Sequence, residues 1–460
     1  MIFLTSLFNK ILDSGDWIWN SSLVSFIKKA DKDSYIKAGS FRPLTIASYI
    51  SKIFERVLTK RLILFCQENN VIDSAQEGFL SNRSTSCYLF KMTASVAEAR
   101  RRKMSYILLF LDFEKAFDSV SVPSMIFKLN QNGISGKFLR LIHNFLSERS
   151  VSLRVNGFSG PKRRVGKFGL PQGSVISPLL FIIFISDLFS NIYLISNGNG
   201  VVVFKYADDG TIMVNANSTS DCYDTMQTVC NYLTTWCQKW QLVVNCNKDK
   251  TEAVILRSHD SESTSLPCLN ISNTIILYVK SSKVLGIYID DNLSFEKHSK
   301  YVLSSCWYKW HHLSENTTRK RGLNCSSLIL LFKTAVLTRL LYAAPIWLKD
   351  NIAIFKDFIY KALFKISGSQ CYPPLQLLHV LFGIPPLSIS LDMMTTKFLM
   401  KGLLQDNDMR ALILQIEETP QHPYYAQINS VRRFLVFQDS ANEIKCERMV
   451  YRKQLFDRSK

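Results

Sequence analysis

Tyr206-Ala207-Asp208-Asp209 lies inside the run VVVFKYADDGTIMVNA, with apolar residues on both sides. The pattern reads as a β-hairpin with two adjacent carboxylates at its tip. Such a pair suffers mutual repulsion and desolvation, so something positive should offset it. A divalent metal is the natural candidate, because clustered carboxylate oxygens are hard ligands. A third carboxylate stands upstream in LLFLDFEKAFDSV, where Asp112 ends the short apolar run YILLFL, which suits a buried strand. Together Asp112, Asp208 and Asp209 could hold two Mg²⁺ ions about 3.5–4 Å apart, the arrangement of in-line phosphoryl transfer. Chemistry of that kind needs positioning and positive charge more than a protein nucleophile. A lone Asp-Asp-Gly is more often an ordinary turn, with Gly210 completing it. The third aspartate and a further motif, in fixed order, decide against that here.

That motif is Gly169-Leu170-Pro171-Gln172-Gly173-Ser174, followed by VISPLLF. Glycines let backbone approach a ligand closely, and the Gln172 amide both donates and accepts. A helix starting near Ser174 would offer its N-terminus to anionic groups. Taken alone, the same residues also make a Gly/Pro loop with Ser174 as N-cap.

The elements that must position these residues follow from apolar spacing. Residues 46–68 space their apolar side chains as an amphipathic helix with a basic outer face. Further helices are expected at about 121–133, from Val175 to about Ile192, and over Ser220–Trp240. Strands are expected at Tyr106–Leu111, at 250–257 and within 275–290. Val151–Val155 alternates and turns at Asn156-Gly157, a hairpin signal. Residues 1–40 read as helix and then loop, 295–400 as helical, and 400–460 are weakly patterned. The result is an α+β core with an appended helical domain.

The chain has 460 residues, 56 Lys+Arg against 37 Asp+Glu and a net charge of +19. That excess favours nucleic acid or an anionic membrane as partner. Eleven cysteines, with no CxxC pair, suit reduced thiols in an intracellular, nuclear or cytoplasmic protein. No segment reads as membrane-spanning, and the start lacks the basic region of a signal peptide.

LDFEKAFDSV, GLPQGSVISPLLF and YADD, in that order, resemble motifs A, B and C of reverse transcriptases. SFRPLTIASYISKIFERVL (40–58) and QEGFLSNRSTSCYLF (76–90) look like the fingers motifs. WQLVVNCNKDKTEAVIL (240–256) and KVLGIYIDDNLSF (283–295) resemble motifs D and E. LLFKTAVLTRLLYAAPIW (330–347) is similar to the thumb of LINE-type, non-LTR, jockey-like retrotransposon polymerases.

The resemblance implies a right-hand polymerase: fingers, an antiparallel palm sheet with helices, and a helical thumb. Its bounds here would be an extension and early fingers at 1–40, fingers and palm at 41–290, and thumb and connection at 291–400. The role of 401–460 stays open. It implies Asp112, Asp208 and Asp209 as ligands of two Mg²⁺ ions, with Mn²⁺ as a substitute, aided by the Phe113 carbonyl. Phe117 falls at the steric gate, where a bulky ring would clash with a 2′-OH. Gln172 and Gly173 would contact nucleotide and template, and Arg42 the triphosphate. A motif D lysine would protonate pyrophosphate; Lys250 fits the following strand, and Lys248 fits the spacing from Asn245. Partners would be an RNA template, a DNA primer and dNTPs, with no membrane. Full-length relatives resemble a chain with an upstream endonuclease, which residues 1–40 are too few to hold. An RNA-dependent RNA polymerase shares the palm plan, and Phe117 argues against it. A catalytically inactive, retrotransposon-derived nucleic-acid-binding protein is the alternative of another class.

Overall fold

Residues 105–111, SYILLFL, form a strand in which every side chain is buried. A continuous apolar run of this length suits a central strand covered on both faces. In the computed structural model this strand is the third of a four-stranded sheet. The structure describes residues 2–29, 34–73, 75–195, 200–247, 250–256, 266–315 and 323–435, which divide into two compact units.

The first unit comprises Met1–Tyr88 and Lys103–Ile287. In chain order it holds α1 (Ile2–Ser14), β1 (Ser21–Lys28), β2 (Phe41–Ile46), α2 (Tyr49–Glu68) and the start of α3 (Thr85–Arg101). Then come β3 (Ser105–Leu111), α4 (Ala116–Ser119), α5 (Val122–Gln131), α6 (Gly136–Ser147), β4 (Ser150–Val155), β5 (Phe158–Ser159) and β6 (Arg163–Arg164). It continues with α7 (Ser177–Ile195), β7 (Gly200–Tyr206), β8 (Asp209–Ala216), α8 (Thr219–Trp240), β9 (Glu252–Leu256), and a small hairpin of β10 (Leu269–Ile271) and β11 (Thr274–Ile276).

One sheet runs β7-β8-β3-β9, antiparallel throughout, as the palm expectation requires. A second sheet joins β2, β1, β4 and β5, with β6 on β4. Residues 21–28, expected as loop, are strand because β1 finds β2 on one side and, in parallel, β4 on the other. That partner lies more than a hundred residues away, out of reach of local pattern.

Helix α7, SPLLFIIFISDLFSNIYLI, is apolar nearly all round, and such a helix must be buried. Its residues 179–185 are 2% exposed or less. Helix α5 sends Lys128 into the same core, where its ammonium meets the Phe184 carbonyl at 2.5 Å and Asp187 Oδ1 at 2.6 Å. The rings of Phe184, Trp236 and Trp240 stand 4.0–4.5 Å from it. Burial pushes the Lys128 ammonium down to about 8. The three-ring cage ties α5, α7 and α8 behind the sheet.

The second unit, Leu89–Arg102 with Tyr288–Lys460, is helical among its described residues apart from the strand end Tyr288–Asp290 and the connecting loops. It includes helices Glu296–Glu315, Lys356–Ser367, Leu387–Gln405, Asn407–Glu417 and Tyr425–Leu435. The later half of α3 supplies Phe90, whose ring packs on Phe398 and Tyr424 at 5.5 and 5.0 Å. The two helices after residue 405 were not legible in the sequence, and residues 436–460 lie outside the described part. The helical content expected for 295–400 is present. No single described helix is long and apolar enough to cross a membrane.

Candidate active site

The aspartates meet because of strand register. Tyr206 pairs with Asp209 across the β7–β8 turn, and Leu111 pairs with Gly210 on the other side of β8. One step further along that register sets Asp112 against Asp209. The turn itself has Ala207 at φ 57°, as in a type II′ hairpin, where glycine is the usual residue. A left-handed alanine costs on the order of 1–2 kcal/mol, so the surrounding contacts must hold it.

Those contacts come from Asp73 and residues 76–78. Gln76, 2% exposed, accepts the Ala207 N–H at 3.0 Å and the Gly78 N–H at 2.8 Å on its Oε1. The Glu77 N–H donates to the Lys205 carbonyl at 2.9 Å. Lys205, buried, pairs with Asp73. Gly78 is obligatory, because a Cβ there would stand 2.5 Å from the Ala207 nitrogen. On β8, the Thr211 hydroxyl meets Tyr88 Oη at 2.5 Å.

Asp112 is gripped by the stretch before β9. Its carbonyl accepts the Asn245 N–H at 2.8 Å, and its own N–H donates to Thr251 Oγ1 at 3.3 Å. Its Oδ2 receives Asn245 Nδ2 at 2.8 Å and faces Lys250 Nζ at 3.4 Å. Of the two candidate lysines, Lys250 therefore stands at the carboxylates; Lys248 lies outside the described residues. Asn245 escaped sequence reading because an Asn in a polar loop carries no local signal of a partner 133 residues away.

Phe113 is buried and bridges Val244 in antiparallel fashion. The hydrogen bonds of that bridge run from Glu114 to Val243 and from Asn245 to Asp112, so neither uses the Phe113 carbonyl. Phe117 lies half-buried, its ring stacked on Phe181 at 4.9 Å and 18°. Gln172 donates from Nε2 to Asp118 Oδ1 at 2.9 Å, and its carbonyl accepts the Thr45 N–H at 2.6 Å. Gly173, at φ 101°, touches β2 so closely that a Cβ would stand 2.7 Å from the Thr45 carbonyl oxygen. Its lack of a side chain thus serves the loop-to-strand contact. Arg42 lies exposed on β2, and its charge lowers the Asp208 carboxyl.

The helix N-terminus expected at Ser174 starts instead at Ser177. The loop before it is already supplied with an anion. Glu55 of α2, 1% exposed, accepts Ser174 Oγ at 2.6 Å and the Val175 N–H at 2.7 Å. Its partners are some 120 residues downstream, which is why the basic helix around it gave no hint.

Electrostatics test whether these residues suit a cation. Burial first, then the charges of Asp208 and Asp112, push the Asp209 carboxyl up to about 7. Asp208 is raised as well, by burial and then by Asp112, with Arg42 and Lys250 acting against it. Lys250 and Arg42 do not cancel the repulsion. Two half-buried carboxyls, Asp208 and Asp209, held back from ionising beside Asp112 are a fit for divalent cations, whose charge would reverse the shift.

Comparison with known proteins gives a family. The model for "Reverse transcriptase (RNA-dependent DNA polymerase)" matches residues 27–304, more than half of the chain. The chain belongs to the reverse transcriptase family. The probable RNA-directed DNA polymerase from transposon BS of Drosophila melanogaster is 28% identical over 76% of this chain and 37% of that protein. The polymerase from the mobile element jockey of the same fly is 24% identical over 88% of this chain and 44% of that protein. The Pol polyprotein of the type-1 retrotransposable element R1 from Bradysia coprophila is 28% identical over 72% of this chain and 31% of that protein. The chain thus spans less than half the length of these relatives. The jockey-like, non-LTR affinity read from the motifs is borne out, and so are the α+β class and the palm sheet.

Proposed function

We propose that this reverse transcriptase chain extends a primer 3′-OH on an RNA template, using deoxynucleoside triphosphates and two Mg²⁺ ions. The observation that carries this reading is the meeting of Asp112, Asp208 and Asp209 at one end of an antiparallel sheet, with the Asp209 carboxyl lifted to about 7. Acids repelling one another in this way have no use as a structural turn, and they suit two-metal phosphoryl transfer. When bound, the ions would activate the primer hydroxyl and neutralise the pyrophosphate. Asp112, Asp208 and Asp209 would hold them, and the Phe113 carbonyl, which takes no part in the bridge to Val244, would aid them.

The remaining assignments extend this reading. Lys250, 45% exposed and 3.4 Å from Asp112, can turn to a departing pyrophosphate and hand it a proton. Arg42 offers a guanidinium to the triphosphate. Phe117, its ring braced by Phe181, would exclude a 2′-OH. Gln172, held by Asp118, would set the nucleotide against the template with Gly173. A test is primer extension on an RNA template with wild type and Asp208→Asn. Loss of one ligand should cut the rate by at least about a thousandfold, roughly 4 kcal/mol. Equal rates would sink the assignment.

A further inference from the structure

Residues 117–122 and 167–172 carry different parts of the site and are zipped to one another. The Leu170 N–H donates to the Phe117 carbonyl and the Gly169 N–H to the Val120 carbonyl, each at 2.8 Å. Ser121 bridges Phe168 in antiparallel fashion, and the Val122 N–H donates to the Lys167 carbonyl at 2.9 Å. Gly169 suits this seam: it sits at φ 91°, and a Cβ would stand 3.3 Å from the Asp118 carbonyl oxygen. Phe117 and Gln172, far apart in the chain, are thus set in one register by backbone.

One side chain closes the seam. Asp118 Oδ1 accepts Gln172 Nε2 at 2.9 Å. A glutamine amide has two orientations, related by a half-turn, which exchange a donor for an acceptor. A carboxylate accepts and does not donate, so only the amide nitrogen can face Asp118. Gln172 Oε1 is then the end left over, and among the described residues it accepts no hydrogen bond. Arg149, half-buried, holds the other end of the same loop, with Nη2 on the Gly169 carbonyl at 2.5 Å and Nε on the Leu146 carbonyl at 3.0 Å. Burial pushes its guanidinium down to about 10, and the charge of Asp118 acts against that. The acid thus serves an amide by contact and a cation by charge, and both are tied to the loop of 169–172.

We infer that Asp118 is a positioning residue for the incoming nucleotide: it fixes the Gln172 amide so that Oε1, an acceptor, is the atom offered to the nucleotide. The inference rests on the polymerase reading, which gives Gln172 its nucleotide. An orientation fixed before binding spares the nucleotide the cost of ordering the side chain. Its loss should weaken nucleotide binding and leave the chemical step at Asp112, Asp208 and Asp209 unchanged. The competing account is that Asp118 braces the loop through Arg149. The two differ in whether the effect needs the amide.

The experiment is a double-mutant cycle on the full chain: wild type, Asp118→Ala, Gln172→Met and the double variant. Each is measured in steady-state primer extension on an RNA template, and in equilibrium binding of the same deoxynucleoside triphosphate beside a primer that lacks a 3′-OH. Asp118→Ala should raise both KM and Kd for the nucleotide about tenfold, the size of one charge-assisted hydrogen bond, with kcat within about twofold of wild type. Asp118→Asn should lie between, because an amide partner allows both orientations of Gln172. In the Gln172→Met background, Asp118→Ala should change Kd by less than about twofold. An effect of Asp118→Ala that is as large with Gln172→Met as without it would overturn the inference, since the acid would then act through Arg149 or the loop. Should Asp118→Ala melt far below wild type, the cycle is run with Asp118→Asn, whose smaller effect must vanish in the same way. The expected coupling in Kd without extension by wild type would overturn the polymerase reading alone. Extension by wild type with additive substitutions would overturn the positioning role alone, and no nucleotide binding by wild type would overturn both.

Discussion

Asp209 is a carboxyl that water would ionise near pH 4 and that this site holds back to about 7. The sign of its linkage follows. A carboxyl raised in the folded state contributes stability that is fully present below its unfolded pKa and is lost as pH rises through the folded value. The metal-free protein should therefore lose stability as pH climbs from about 4 to about 7, with Asp208 acting in the same direction. Divalent cations compete with that proton, so Mg²⁺ should raise the melting temperature more at about pH 7 than at about pH 5. Asp209→Asn should flatten this pH dependence; a Mg²⁺ effect that is the same at both pH values in wild type would show that the carboxyl does not bind the ion. The three aspartates were legible in the sequence because residue type, order and flanking apolar runs all carried the signal. Asn245 and Glu55 were not, because each acts on a group more than a hundred residues away. Ser174 reads as a helix cap in the sequence for the same reason: the anion that answers it is the distant Glu55.

At the scale of elements, the β7–β8 turn is held by a neighbour rather than by its own sequence. Ala207 sits in a conformation that favours glycine, and Gln76 receives its N–H. Replacing Gln76 with Met keeps much of the bulk but leaves the Ala207 and Gly78 N–H groups without the acceptor they share. An unsatisfied buried donor costs about 1–3 kcal/mol, so Gln76→Met should lower the melting temperature. It should also weaken Mg²⁺ binding, measured as the ion-induced shift in melting, because Asp208 is the next residue along. Gly78→Ala presses on the same turn from outside and should weaken Mg²⁺ binding in the same way. Normal ion binding in both variants would mean that residues 76–78 do not position the turn. The strands and helices of the palm were read to within a few residues because α7, α8 and β3 have strong apolar patterns. Strand β1 was not, since only its pairing with β2 and β4 makes it a strand.

For the whole molecule, the cysteines report on folding of both units at once. Cys66, Cys87, Cys222, Cys230 and Cys237 are buried in the first unit and Cys306 in the second. Burial pushes the thiols of Cys66, Cys230 and Cys237 up to about 12, and those of Cys222 and Cys306 to about 11. The thiolate is the reactive form, so these groups are inert at neutral pH while the fold persists. Cys268, Cys325 and Cys371 are exposed and should react with a disulfide reagent at once. The reading of reduced thiols in place of a disulfide framework thus has a chemical counterpart: the buried sulfurs are small apolar core residues, shielded from exchange. Titration of native protein should show fast reaction of the exposed set and slow reaction of the six buried thiols, with all eleven reacting in denaturant. Mass spectrometry of the labelled peptides would then follow each unit separately through a denaturant series, Cys306 for the second and Cys222, Cys230 and Cys237 for the first. Fast labelling of Cys230 or Cys237 in native protein would contradict the packing of α8 on the palm sheet, and with it the support behind the aspartates.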